Sequence, residues 1–163
     1  FLWRVSIADI AASGPFSTFP GIDRTILLLV DRTMELRSDR GSVALRQYAP
    51  HEFAGETRID GMLHDGPVRD FNVMAQRGRV AAEVSVLKAG HHTMAARRGA
   101  LLVYCAEGAA AIAIAGCAPI EVEQGETLLD RAIGRDAPVV IDVRRDGVVV
   151  RVEILDAPPG RTP

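Results

Sequence analysis

Two polar side chains alternate with apolar ones in the segment Val68-Arg69-Asp70-Phe71-Asn72-Val73-Met74. Successive side chains of a β-strand point to opposite faces, so Asp70, Asn72 and Met74 would share one face. Asp and Asn are depleted in strands, and a polar group on a buried face needs a hydrogen-bond partner. Asp70 and Asn72 are therefore expected to contact a ligand, to satisfy backbone groups of nearby loops, or to face water, and the residues alone leave these alternatives open.

An arginine opens the apolar strand that follows a long loop, Ser13 to Arg24. The loop carries two phenylalanines, Phe16 and Phe19, which we expect to be exposed. A guanidinium in an apolar strand needs a carboxylate partner. Asp23 would make this a surface ion pair, whereas a ligand carboxylate would bind Arg24 bidentately, with hydroxyl groups adding bonds. The candidate ligand contacts on this loop are Ser17, Thr18, Phe19, Asp23 and Arg24.

The four histidines, His51, His64, His91 and His92, do not form a metal-binding pattern. A transition-metal site on facing strands would need about three histidines and a glutamate, and no His-x-His pair followed by Glu is present. His91 and His92 follow Gly90, and we expect them in a turn. The sequence also has no P-loop or dinucleotide fingerprint. We therefore predict no metal ion and no other cofactor.

No residue stands out as a catalytic nucleophile. The sequence has no Gly-x-Ser-x-Gly motif, and Cys105 lies in an apolar segment, where thiols are usually inert. The remaining enzymatic alternative is an acid–base pair of His64 with Asp65 or Asp70. Asp65-Gly66-Pro67 is otherwise typical of a tight turn. We predict no catalytic residue, and we count His64 and Asp65 among the candidate ligand contacts.

Composition excludes several classes of partner. The 163 residues are 48% hydrophobic and 25% charged, with a formal net charge of -2, which is ordinary for a globular protein. The basic clusters are mere pairs, so we expect no nucleic-acid partner. The sequence has neither a leader-like segment nor an apolar run of membrane-spanning length, and its cysteines, Cys105 and Cys117, are too few for a disulfide framework. We expect a cytoplasmic protein without a membrane partner.

Short period-two segments rich in Val, Ile and Leu recur between Gly, Pro and Asp turns, which is typical of an all-β sandwich or barrel. The predicted strands are residues 2–8, 25–30, 34–37, 43–48, 68–75, 80–88, 101–105, 110–115, 120–123, 139–143 and 148–155.

A weak internal repeat divides the chain. The first copy consists of Leu27-Leu28-Leu29-Val30, the strand at Met34-Glu35-Leu36 and the turn Gly55-Glu56-Thr57. The second copy consists of Leu101-Leu102-Val103-Tyr104, the strand at 111–115 and the turn Gly125-Glu126-Thr127. This layout is typical of a small jelly-roll or cupin barrel. We predict two fused cupin-like barrel halves, a bicupin, with halves at 1–78 and 79–163 and with strand exchange between them allowed.

Three strings of sequence resemble the HutD/Ves family: Trp3-Arg4-Val5-Ser6-Ile7-Ala8, Gly14-Pro15-Phe16-Ser17-Thr18-Phe19-Pro20-Gly21-Ile22-Asp23-Arg24 and Asp65-Gly66-Pro67-Val68-Arg69-Asp70-Phe71-Asn72-Val73-Met74. The resemblance implies a bicupin of the RmlC-like cupin superfamily in a bacterial cytoplasm. For HutD members it implies binding of a small metabolite in histidine utilisation, and it implies no known catalytic activity. Members usually carry a Trp-(Lys/Arg)-Asn-Gly-Gly-Gly segment before the Trp-Arg strand. This sequence has no such string, and if that segment closes the pocket in family members, we expect the pocket formed by these residues to be incomplete.

The resemblance favours a ligand role for Arg24. The favoured function is metal-independent binding of a carboxylated metabolite, such as urocanate or formylglutamate, by a regulatory protein whose pocket contains Arg24, Asp70 and Asn72. The first alternative is an enzyme, either a metal-free cupin isomerase or a cupin oxygenase. The second is a structural or interaction module, for example a homodimer, because exposed sheet edges must be covered.

Overall fold

A computed structural model describes residues 1–134 and 136–156. These residues form strands and turns without a helix, so the chain is all-β, as predicted. Within the same residues there is accordingly no helix long and apolar enough to cross a membrane. The chain divides into two compact units, of which the first runs from Phe1 to Ala81 and the second begins at Ala82. We had placed the join near Gly78; residues 157–163 of the predicted second half lie outside the described residues.

The first unit contains two four-stranded sheets. Their strands are β1 (Trp3–Ile10), β2 (Gly14–Pro15), β3 (Ile22–Leu28), β4 (Met34–Ser38), β5 (Gly41–Leu45), β6 (His51–Ala54), β7 (Asp60–Leu63) and β8 (Val68–Gln76). One sheet has the order β1-β8-β3-β6 and the other the order β2-β7-β4-β5. The apolar side chains between the sheets form the core of this unit: Ile26, Leu28, Met34, Leu36, Leu45, Ile59 and Val68.

The second unit is built on one large sheet. Its strands are β9 (Val80–Ala95, of which the first two residues belong to the first unit), β10 (Gly99–Glu107), β11 (Ala109–Ile114), β12 (Ile120–Glu123), β13 (Thr127–Ile133) and β14 (Pro138–Asp156). The order is β12-β11-β14-β10-β13, and β9 also pairs with β14. Its core includes Leu101, Val103, Cys105, Ile112, Val139, Ile141 and Val149.

The same pairing pattern recurs in both units. In the first, β3 pairs with β6 and β8, while β4 pairs with β5 and β7. In the second, β10 pairs with β13 and the end of β14, while β11 pairs with β12 and the start of β14. The long strand β14 thus takes the places that β7 and β8 take separately.

Several predicted details were wrong. We had predicted a turn at His91 and His92, but both lie within the long strand β9. Two predicted strands between 139 and 155 are the single strand β14, which continues through Asp146 at a positive φ of 60°. The Gly-Glu-Thr turns do not correspond, because the first follows β6 whereas the second precedes β13. The short strands β2, β6 and β7 and the strand β13 were not predicted.

Candidate functional site

A cavity of about 400 Å³ lies in the first unit, on the inner face of the β1-β8-β3-β6 sheet. Strand register places its lining side chains in rows across the sheet. Ala8 lies opposite Asp70, Ser6 opposite Asn72, and Met74 between Arg4 and Arg24. The loop between β1 and β3 completes the wall. The lining residues are Arg4, Ser6, Ala8, Ile10, Ala12, Gly14, Pro15, Phe16, Ser17, Phe19, Arg24, Asp70, Asn72 and Met74.

Arg24 is the buried cation of the cavity. Arg24 is only 4% exposed. Burial lowers the pKa of its guanidinium, whereas the negative charge of Asp70 raises this pKa. An arginine nevertheless stays charged at neutral pH. One guanidinium nitrogen donates to the backbone carbonyl of Ser17 at 3.1 Å. Within the described part of the chain, no carboxylate oxygen comes within the 4.0 Å of an ion pair with Arg24.

Three aromatic rings surround the guanidinium of Arg24. Its central carbon lies 4.8 Å from the ring centre of Phe53, 5.4 Å from that of Phe19 and 5.6 Å from that of Phe16. Arginine favours such contacts because the ring face is electron-rich, and desolvation makes the attraction stronger. Phe16 and Phe19, which we had expected to be exposed, are half-buried. The rings hold the cation in place without neutralising its charge.

Two glycines hold the aromatic loop against the sheet. A Cβ at Gly61 would lie 2.6 Å from the Phe16 ring, and one at Gly55 would lie 2.5 Å from the carbonyl oxygen of Phe19. The backbone also ties the loop down, because the amide of Phe16 donates to Ile59 at 2.8 Å and that of Phe19 to Gly55 at 2.7 Å. The absence of a side chain at both positions therefore allows the loop to approach Arg24.

Asp70 is the buried acid of the cavity and is 3% exposed. Burial raises its pKa from 3.8 to about 6, and the neighbouring charge of Asp9 adds to the rise. The backbone amide of Ala8, which donates to the carboxylate, and the charge of Arg24 oppose it. Desolvation is therefore the largest contribution to the pKa of Asp70. The carboxylate is still ionised at neutral pH, and its ionisation at a buried position lowers the free energy of unfolding.

Five buried side-chain atoms among the described residues have no protein hydrogen-bond partner, and three of them belong to this cavity. They are Nε of Arg24, Oδ1 of Asp70 and Oδ1 of Asn72. An unpaired buried polar atom typically costs about 1–3 kcal/mol. Such atoms are rare in stable folds, and three of the five belong to side chains that line this one cavity.

The predicted ligand contacts divide into two groups. The structure places Arg24, Asp70, Asn72, Phe19 and Ser17 around the cavity. The backbone carbonyl of Ser17 accepts a hydrogen bond from Arg24, and the contact of the Ser17 hydroxyl with a ligand stays a prediction.

Four predicted contacts, Thr18, Asp23, Asp65 and His64, are not among the lining residues. Asp23 points to the other face of β3 and pairs with Arg77 at 2.7 Å, not with Arg24. Thr18 and Asp65 are exposed.

His64 does not pair with Asp65 or Asp70 in the way that the enzymatic alternative requires. Its Nε2 lies 3.3 Å from a carboxylate oxygen of Glu35, which lies in strand β4 of the β2-β7-β4-β5 sheet. His91 bonds Asp142 at 2.5 Å in the second unit. The residues that the structure describes contain no group of three His, Cys, Asp or Glu side chains placed to hold a metal ion.

Sequence reasoning missed four contributors to the site. Arg4 lies in the string Trp3-Arg4, and its place opposite Met74 follows only from the register of β1. Phe53 lies in β6, which was not predicted as a strand. Gly55 and Gly61 carry no chemical signal, because their importance comes from close contacts between distant parts of the chain.

The second unit also carries an interior carboxylate, but its own residues neutralise it. Glu153 is 6% exposed and accepts a hydrogen bond from Arg97 at 3.1 Å. The guanidinium of Arg151 lies 3.7 Å from the same carboxylate, and Arg97 also pairs with Glu83. Among the residues that the structure describes, Arg24 has no carboxylate within ion-pair distance, which distinguishes the first unit as the candidate binding unit.

A model of the HutD family matches residues 1–142, which is most of the chain. The chain belongs to the HutD family. The protein Ves of Escherichia fergusonii is 36% identical over 105 residues, which are 63% of this chain and 55% of Ves. The chain thus spans little more than half the length of this curated relative. The HutD resemblance stated from the sequence strings is confirmed.

Solved structures agree with this membership. HutD from Pseudomonas fluorescens SBW25 has a TM-score of 0.80 at 26% identity, covering 96% of this chain and 80% of that one. A cupin 2 conserved barrel domain protein from Leptotrichia buccalis has a TM-score of 0.56 at 11% identity, covering 94% of this HutD-family chain and 83% of the other. At that identity the likeness concerns the fold alone, and it supports a cupin-like fold.

Proposed function

We propose that this HutD-family chain binds a small carboxylated metabolite in the cavity of its first unit, without a metal ion, and that it acts as a cytoplasmic regulatory protein of histidine utilisation. Urocanate and formylglutamate are the candidate ligands. We further propose that the two units are fused cupin halves, since the same pairing pattern recurs in both.

The observation that carries the proposal is the buried guanidinium of Arg24. It lies on the wall of a cavity, is surrounded by three aromatic rings, and has no carboxylate within ion-pair distance among the described residues. A desolvated cation is stabilised most by an anion that it can bind bidentately, and a carboxylate matches the planar guanidinium. A ligand carboxylate would neutralise the charge of Arg24, as Arg97 neutralises the charge of Glu153 in the second unit.

The cavity also fits the size and charge of such a ligand. A volume of about 400 Å³ lies at the lower end of the range for small-molecule sites. The exposed Arg4 and the buried Arg24 both line the cavity, on either side of Met74, and the carboxylate of Asp70 offsets only one of the two positive charges. This excess of positive charge favours the entry of an anion.

Calorimetric titration of urocanate and of N-formylglutamate into the wild type and an Arg24→Met variant tests the proposal. We expect roughly a hundredfold loss of affinity in the variant, because truncation removes a charged pair in a desolvated site. Arg24→Lys keeps the positive charge but lacks the planar guanidinium that binds a carboxylate through two parallel N–H groups. We therefore expect an intermediate loss of affinity of about tenfold. Arg40→Met is the matched control, since Arg40 is exposed in the turn between β4 and β5 of the same unit.

Thermal melting of each variant verifies that the fold is retained. The proposal is wrong if the wild type binds neither compound, or if Arg24→Met binds as well as the wild type. Cellular regulation is tested separately, by following transcription of the histidine-utilisation genes in a strain that carries Arg24→Lys.

A further inference from the structure

We infer that the ligand of the first-unit cavity is a dicarboxylic acid, and that its second carboxylate binds Arg4. This inference rests on the proposed function, in which one carboxylate of the ligand binds Arg24. It narrows the two candidate ligands to N-formylglutamate, because urocanate carries a single carboxylate.

The register of the sheet places two arginines in one row. Arg4 of β1 and Arg24 of β3 both lie opposite Met74 of β8, which runs between those two strands. Opposite residues of antiparallel strands have side chains on the same face, and all three residues line the cavity. Two steps between neighbouring strands place the Cα atoms of the arginines roughly 10 Å apart. The row therefore carries two positive charges on either side of an apolar side chain.

The contacts of Arg24 hold its guanidinium at one side of this row. Phe53 of β6 lies opposite Arg24 in the register, on the side of β3 that faces away from β1, and its ring is the nearest of the three to the guanidinium. The same guanidinium donates to the carbonyl of Ser17. A carboxylate bound to Arg24 therefore lies on the β3 side of the row, and Arg4 on the edge strand β1 needs a second anionic group.

The charge of Arg4 is not neutralised by the part of the chain that the structure describes, since no carboxylate there lies within 4.0 Å of its guanidinium. Burial lowers the pKa of Arg24 most, and the positive charge of Arg4 lowers it further, so the two cations repel each other. Asp70, the one acid among the lining residues, raises the pKa of Arg24 but lies within ion-pair distance of neither arginine. Two carboxylates on the ligand would neutralise both arginines and remove their repulsion.

The spacing of the row also sets the length of the acid. Four C–C bonds of about 1.5 Å place the carboxyl carbons of an extended five-carbon diacid roughly 5 Å apart. A charge-assisted hydrogen bond of about 2.8 Å at each end brings the span between the donor nitrogens to roughly 10 Å. This span is comparable to the separation of the two arginine backbones, and the exposed side chain of Arg4 has several rotatable bonds with which to adjust. Derivatives of glutarate therefore fit the row.

Calorimetric titration of N-formylglutamate and its two monoamides into the wild type tests the inference. N-Formylglutamine and N-formylisoglutamine have nearly the same shape as the parent acid, and each lacks one of its two carboxylates. We expect the amide that lacks the carboxylate at Arg24 to lose roughly a hundredfold in affinity. The other amide should lose about three- to tenfold, because Arg4 is exposed and water screens its ion pair. Urocanate is titrated alongside as the monocarboxylate.

Protein variants then locate the effect at Arg4. In Arg4→Met, N-formylglutamate and the more weakly affected amide should bind equally, because the partner of the second carboxylate is gone. Arg4→Lys keeps the positive charge and should keep part of the discrimination. Arg40→Met, at an exposed position of the same unit, should discriminate as the wild type does. The wild-type comparison of the parent acid with its amides stands by itself if Arg4→Met does not fold.

The outcomes separate the two proposals. Binding of urocanate without binding of N-formylglutamate would leave the carboxylate site at Arg24 standing and overturn the inference of a second carboxylate. The inference would also be wrong if one of the amides bound the wild type as tightly as the parent acid, or if Arg4→Met discriminated as strongly as the wild type. Binding of no compound to the wild type would overturn both proposals.

Discussion

Replacing Asp70 by Asn should stabilise the protein at neutral pH while leaving its stability in acid almost unchanged. Burial raises the pKa of Asp70 from 3.8 to about 6. That rise corresponds to a cost of about 3 kcal/mol for keeping the carboxylate ionised in the folded state. Asn has nearly the same shape and no charge, and its Oδ1 can still accept the amide of Ala8.

The direction with pH follows from proton binding. Between pH 3.8 and about 6 the folded protein keeps the Asp70 proton while the unfolded chain releases it, so the free energy of unfolding falls as pH rises. Below this window both states are protonated, and above it both are ionised. The wild type should therefore lose up to about 3 kcal/mol relative to Asp70→Asn between pH 4 and pH 7, and the difference should then stay constant.

Urea unfolding followed by circular dichroism at pH 4, 5, 6, 7 and 8 measures this difference. Comparison at each pH cancels the contributions of other acids, such as Glu35 and Glu56, whose pKa values are lowered to about 2. Equal slopes against urea are required, because a changed slope would indicate that the two proteins do not unfold in the same way. A variant that is less stable at pH 7, or a difference that does not change with pH, would refute the assignment of a desolvated carboxylate.

Three further outcomes are expected. Gly61→Ala should displace the Phe16 ring and weaken ligand binding several-fold in a titration, since its Cβ would lie 2.6 Å from that ring; unchanged affinity would show that the loop position does not matter. Phe53→Leu should weaken binding about two- to fivefold, because the guanidinium of Arg24 loses a ring contact worth about 0.5–1 kcal/mol; tighter binding would contradict this. In the second unit, Arg97→Met should lower the free energy of unfolding by about 3 kcal/mol, because it leaves a buried carboxylate with a weaker partner; ligand affinity of the first unit serves as its control.

Strands rich in apolar residues could be predicted from sequence, and short strands of mixed composition could not. The segments that became β4, β8, β11 and β12 were found within one residue of their observed bounds, because apolar residues recur along each of them. The strand β6, with the sequence His51-Glu52-Phe53-Ala54, carries no such pattern. This segment forms a strand because it pairs with β3, and the sequence of β6 itself does not indicate that partner.

The candidate site was predictable where it depends on local chemistry. Asp70 and Asn72 were recognised because polar residues alternate in an apolar strand, and Arg24 because a cation opens an apolar segment. Asp23 and His64 were chosen by nearness in sequence, and neither of them lines the cavity. Nearness in sequence could not reveal that β3 turns Asp23 toward Arg77, or that the neighbouring strand offers Glu35 to His64.

The register of β1 and β8 has a consequence for how the cavity forms in time. Trp3 pairs with Ala75 and Ile10 with Val68, so the wall that carries Arg4 and Ser6 can join the sheet only after the chain has returned through almost the entire unit. Pairing of such distant segments is slow, because the entropy of closing a long loop is lost before the contacts are gained. The short hairpin of β4 and β5 faces no such delay. The binding cavity should therefore be completed late in folding, and amides of β1 should become protected from hydrogen exchange after those of the hairpin.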